Sequence, residues 1–192
     1  MRLLFIAVAA ASSAYAAAPA AAQAPSRSQL DCVVRAFPAP LRAQFHRQYA
    51  EDAEAAIQLL LRPEADEALA RCVDRALREG TAEAAEHGEL LDQAWRSREL
   101  MTASQAIIAS IDPGHAGNLE AAFGRLTAAE RAALANDEEE LSPEIYAAME
   151  RFAFLVSPAL TMTALERNGR LLEHLTVYAS GRALLETIVP AR

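Results

Sequence analysis

Between Leu41 and Leu60 the apolar residues recur at three- and four-residue steps, as Leu41, Phe45, Tyr49, Ala53, Ala56, Ile57 and Leu60. Side chains so spaced share one face of an α-helix, because about 3.6 residues complete a turn. The pattern returns in Leu69, Cys72, Val73, Ala76 and Leu77, and again in Ile145, Met149, Phe152, Leu155 and Val156. No segment alternates apolar and polar residues as a half-buried strand does. Phe, Trp and Tyr make up only 6% of the chain, a composition poor in the aromatics that strands favour. The periodicity predicts an all-α fold, an irregular bundle of about seven helices.

Proline, glycine and capping residues divide the stripes. Ser28 is placed to cap a first helix carrying Cys32, which Phe37-Pro38-Ala39-Pro40 must stop; proline lacks the amide a helix interior needs. One helix is expected from Leu41 to Leu61 and another from Glu64 to Arg78, with Gly80 as terminator. Thr81 then caps a long segment, Ala82 to Ile111, that Gly88 is able to kink or split. Asp112-Pro113-Gly114 is a firm break before a short helix around Leu119 to Leu126. Thr127 and Glu130 have the spacing of a capping box, each side chain bonding an orphan amide. Ser142-Pro143 reads as a cap followed by a first helical residue, just after the acidic run Asp137–Glu140. A last helical stretch runs from Pro158 to Val189, with Gly169 and Gly181 as points of interruption.

The amino terminus carries a different signal. Met1-Arg2 precedes Leu3-Leu4-Phe5-Ile6-Ala7-Val8 and an alanine-rich stretch out to Ala24. A positive residue, a short apolar core and small residues after it are the three parts of a secretory signal peptide. The apolar core fades at Ala18-Pro19, short of the roughly 20 strongly apolar residues of a membrane span. Small residues permit cleavage after Ala22 or Ala24, and Pro25 disfavours the second, since its ring fixes φ and it has no N–H. Residues 1–22 are thus expected to be removed. Residues 23–192 would remain as a single all-helical domain, periplasmic or secreted, with no stable membrane insertion.

Cys32 and Cys72 are the only cysteines. In an exported chain an even count reads as a disulfide. Closing a loop of about 41 residues is worth roughly 4 kcal/mol in the chain-entropy account. Cys72 falls on the inward stripe of its helix, as a bridge to the first helix requires. The Cys-Val-Val-Arg start at Cys32, with a second cysteine at Cys72, resembles a group of uncharacterised small helical proteins exported by bacteria. The resemblance covers the first third of the mature chain and implies compartment and disulfide. That group has no catalytic residues to carry over.

Chemistry-bearing motifs are few. Glu83 and His87 lie one helical turn apart, but the turn supplies no other ligand of the kind a bundle metal centre needs, so a solvated polar face is the reading there. His46 sits at the edge of the stripe that holds Tyr49, and neither His115 nor His174 has a ligand spacing. Gly-x-Ser-x-Gly, Cys-x-x-Cys and glycine-rich phosphate loops are missing from the sequence. No cofactor or metal is expected. The formal charge is −8, and removing Arg2 makes it −9; an acidic chain repels phosphate backbones, so nucleic acid is not an expected partner.

These observations describe an exported protein acting through helix surfaces on an unidentified protein partner. The alternative is an enzyme whose acids and histidines meet only in the fold. The stretch from Leu165 to Ile188 carries doubled leucines, Leu171-Leu172 and Leu184-Leu185. That width marks Leu172 and Leu185 as partner-binding candidates, unless the face is buried as core.

Overall fold

The computed structural model describes residues 24–73, 82–136 and 142–189. The proposed signal segment, the Gly80 terminator, the Thr81 cap and the acidic run Asp137–Glu140 lie outside these residues. All regular structure within them is helical, and the described residues form ten helices rather than about seven. The chain divides into two compact units, one ending at Asp92 and one starting at Gln93.

The first unit holds α1 (Arg27–Ala36), α2 (Ala39–Tyr49), α3 (Ala53–Leu60), α4 (Pro63–Cys72) and the first turns of α5 (Ala82–Ile111). Ser26, not Ser28, caps α1, because Gln29 three residues later completes a capping box. The Ser26 N–H donates to Gln29 Oε1 at 2.8 Å and the Gln29 N–H donates to Ser26 Oγ at 3.3 Å.

The expected helix Leu41 to Leu61 is two helices, α2 and α3. Asp52 takes an extended backbone, φ −149°, and its carboxylate accepts the Ala55 N–H at 2.9 Å. That cap gives α3 a start of its own inside an unbroken apolar stripe. Helix α1 packs on α4 and α2 on α3. Phe37 and Phe45 are fully buried, with Tyr49 tilted against Phe45 at 5.5 Å. The Cys32–Cys72 disulfide ties α1 to the last residue of α4, with the Cα atoms 5.7 Å apart.

The second unit comprises the rest of α5 with α6 (Pro113–Gly124), α7 (Ala128–Leu134), α8 (Pro143–Val156), α9 (Met162–Arg167) and α10 (Gly169–Ile188). Two of its helix starts are the ones expected: the Thr127–Glu130 box forms, and Ser142 caps α8 ahead of Pro143. The break at Asp112-Pro113-Gly114 is itself the start of α6, six residues before the expected Leu119, because the Asp112 side chain accepts the Gly114 N–H at 2.7 Å and Pro113 suits a first helical turn. The final stretch is split at Asn168, whose side chain accepts the Leu171 N–H at 3.2 Å and opens α10 at Gly169.

Neither Gly88 nor Gly181 breaks its helix. Gly181 serves a close approach instead: a Cβ there would sit 3.2 Å from the Ser97 carbonyl oxygen and 3.6 Å from Met101 Cβ, both on α5. Helix α8 receives α6 and α7, while α10 contacts α7, α8 and α9. Phe123, Phe152, Leu165, Leu175 and Tyr178 fill the core between them. Burying each such side chain contributes about 1.5–3 kcal/mol.

Candidate functional site

The histidines separate into two kinds. His46 is half-buried and meets the Phe45 ring edge-on at 5.3 Å, at the stripe margin as its spacing suggests. His115 is half-buried with Nδ1 3.7 Å from the Asp112 carboxylate in the first turn of α6. His87 and His174 are both buried. For His87 this corrects the expected solvated face: Glu86 and Glu89 are exposed, but the His87 ring turns inward and Nε2 lies 3.1 Å from the Gln29 amide nitrogen of α1. Among the described residues no group of three or more His, Cys, Asp or Glu side chains is placed to hold a metal ion.

His174 stands on α10 with Nδ1 3.4 Å from Ser104 Oγ of α5, and Ser104 is completely buried. Burial, and then the Arg170 guanidinium one turn earlier, lower its pKa to about 4. The ring is therefore neutral at pH 7. A Ser–His pair this deep cannot present its hydroxyl to a substrate, so the contact joins α5 to α10.

One turn further along, α10 carries a second polar group. The Tyr178 hydroxyl donates to Glu120 Oε1 of α6 at 2.6 Å, and Arg182 Nε lies 3.3 Å from the same oxygen. Burial, and then the bond to Glu120, raise the Tyr178 pKa above its ordinary value. The Arg182 guanidinium also covers the Phe123 ring at 4.9 Å. These contacts fasten α10 to α6 through a buried phenol and a partly exposed ion pair.

Exposed apolar surface lies elsewhere. Tyr146 and Phe154 on α8 are 41% and 49% exposed, on the side opposite the buried Ile145, Met149, Phe152 and Val156. Ala147, Glu150 and Arg151 share that outer face. Beside Phe154 a half-open groove of about 410 Å³ runs between α6 and the end of α8, lined chiefly by Asn118, Ala121, Arg125, Phe154, Leu155 and Pro158. The Asn118 amide donates to the Val156 carbonyl at 3.0 Å, linking α6 to the last residue of α8.

The two leucines singled out by sequence are less open. Leu172 is half-buried and packs against the core of the second unit, and Leu185 is half-buried too. Neighbouring Leu171 and Leu175 are core. Sequence reasoning missed the α8 face, although Tyr146 and Phe154 are two turns apart and both fall off the apolar stripe. Comparison with known proteins finds no matching family model, no matching curated protein and no matching solved structure.

Proposed function

We propose that this is an exported protein, periplasmic or secreted after loss of residues 1–22, that works by contact with a protein partner. The outer face of α8 is its contact surface. The observation that carries this reading is the pairing of Tyr146 and Phe154, two large aromatics left exposed on a helix whose other side is core. Aromatics at contact surfaces supply large apolar area at small entropic cost. The Cys32–Cys72 bridge supports an oxidising compartment. Among the described residues no helix is long and apolar enough to cross a membrane. An enzyme built on His174 or His87 would need those rings to reach a substrate, and both are buried.

The test is made with chromosomally tagged protein released from the cell envelope. Wild type should elute in a complex larger than its own mass, and Tyr146→Ser with Phe154→Ser should elute as the free protein with unchanged circular dichroism. Elution of the double variant in the same complex would refute the α8 surface. Intact mass of the released protein should place its first residue at Gln23, and retention of Met1 would refute export by cleavage.

A further inference from the structure

Building on that contact reading, we infer that the groove between α6 and α8 takes an acidic peptide segment of a partner protein, one that places an apolar side chain next to a carboxylate. The chemistry follows from which charges the two helices turn toward the groove. At about 100° per residue, Arg151 lies some 60° from Phe154 toward Leu155, the groove side, whereas Glu150 lies some 40° the other way. On α6 the lining residues Asn118, Ala121 and Arg125 share one face, and Glu120 points roughly opposite. Glu120 is moreover held by Tyr178 and Arg182. The groove of a chain with formal charge −8 is therefore flanked by two guanidinium groups and lined by no carboxylate.

The apolar half is supplied by Phe154, Leu155, Ala121 and Pro158. The Arg151 guanidinium carbon sits 6.0 Å from the centre of the exposed Phe154 ring, so a ligand touching that ring comes within reach of the charge. Arg125 caps the end of α6, and among the described residues it makes no ion pair. Its planar fork suits a carboxylate bidentately. At about 410 Å³ and half open, the groove holds two or three side chains of an extended segment, with its carboxylate at Arg125.

The experiment titrates isotope-labelled mature protein with the N-acetylated tetrapeptide amide Leu-Glu-Phe-Glu, following backbone amide shifts. Shifts confined to Asn118, Ala121, Arg125, Phe154 and Leu155 are expected, with affinity about tenfold weaker for the Leu-Gln-Phe-Gln peptide. Arg125→Gln should weaken the acidic peptide by about tenfold and Arg151→Gln by less. Glu173→Gln, exposed on α10 and outside the groove, should leave peptide affinity unchanged. Equal binding of the two peptides, shifts lying elsewhere, or no shift at millimolar peptide would overturn the inference. So would decanoate shifting these residues when the peptide does not, because the occupant would then be a lipid. Failure here with the envelope complex still lost in the Tyr146/Phe154 variant removes the acidic ligand alone; survival of that complex removes the α8 contact reading itself.

Discussion

Replacing His174 by glutamine should remove a defined part of the acid sensitivity of the second unit. In the native protein the imidazole is 4% exposed and its pKa falls from 6.5 to about 4, through burial and the nearby Arg170. The unfolded chain therefore binds a proton on this ring at a pH where the folded protein does not. Stability associated with the neutral ring is present above pH 6.5, starts to fall below it, and is fully lost only beneath pH 4. At 1.36 kcal/mol per pH unit, the drop between pH 7.5 and pH 4.5 amounts to about 2–3 kcal/mol. Carboxylates titrate in the same interval, so the informative quantity is the difference between wild type and variant.

Urea unfolding at both pH values gives that difference directly. Glutamine keeps a polar group near Ser104 but cannot titrate. His174→Gln should be less stable than wild type at pH 7.5, through poorer packing, and should lose about 2–3 kcal/mol less on acidification. Equal losses in the two proteins would refute the reasoning, since His174 would then gain its proton as easily folded as unfolded. The same titration followed by imidazole proton shifts should find the His174 midpoint near 4.

Reduction of the Cys32–Cys72 bridge frees a loop spanning α2 and α3, and should lower stability by up to about 4 kcal/mol; full alkylation of both thiols in folded, unreduced protein would contradict it. Gly181→Val brings branched carbon against the Ser97 carbonyl and Met101; a loss of about 1–3 kcal/mol is expected in thermal unfolding, and a neutral result would deny the close approach of α10 to α5. Leu172→Asp places a charge against the core packing of the second unit, so it should cost about 3 kcal/mol or more and melt early. Leu185→Asp at the same half-buried level should cost less; loss of the envelope complex with an unchanged melting temperature, in either variant, would return the contact surface to α10.

Features read correctly from sequence are those decided within a few residues. Thr127 and Ser142 act as caps because each side chain needs only its own next turn; Asp112, read only as a break, caps α6 by the same local bond. The apolar stripe of α8 was legible for the same reason. The break at Asp52 was hidden because the three- and four-residue spacing continues through it, so periodicity alone cannot separate one helix from two. Ser28 looked like a cap, yet Ser26 wins through its reciprocal bond with Gln29. Contacts such as Ser104–His174 and Glu120–Tyr178 join residues 70 and 58 positions apart, and no local pattern encodes them. The α8 surface needed a different question, namely which large apolar residues the stripe leaves over. Tyr146 and Phe154 answer it, while the doubled leucines of α10 drew attention to a helix already packed on α7, α8 and α9 and tied to α5 and α6.

The contact reading meets its most direct test in site-specific photocrosslinking in living cells. A benzophenone amino acid is placed in turn at positions 146 and 154, and at the exposed Ala132 of α7 as a control. The account predicts a discrete adduct of one partner protein from positions 146 and 154, in the envelope fraction, and none from position 132. Adducts absent at both α8 positions, or equally abundant at all three, would contradict it.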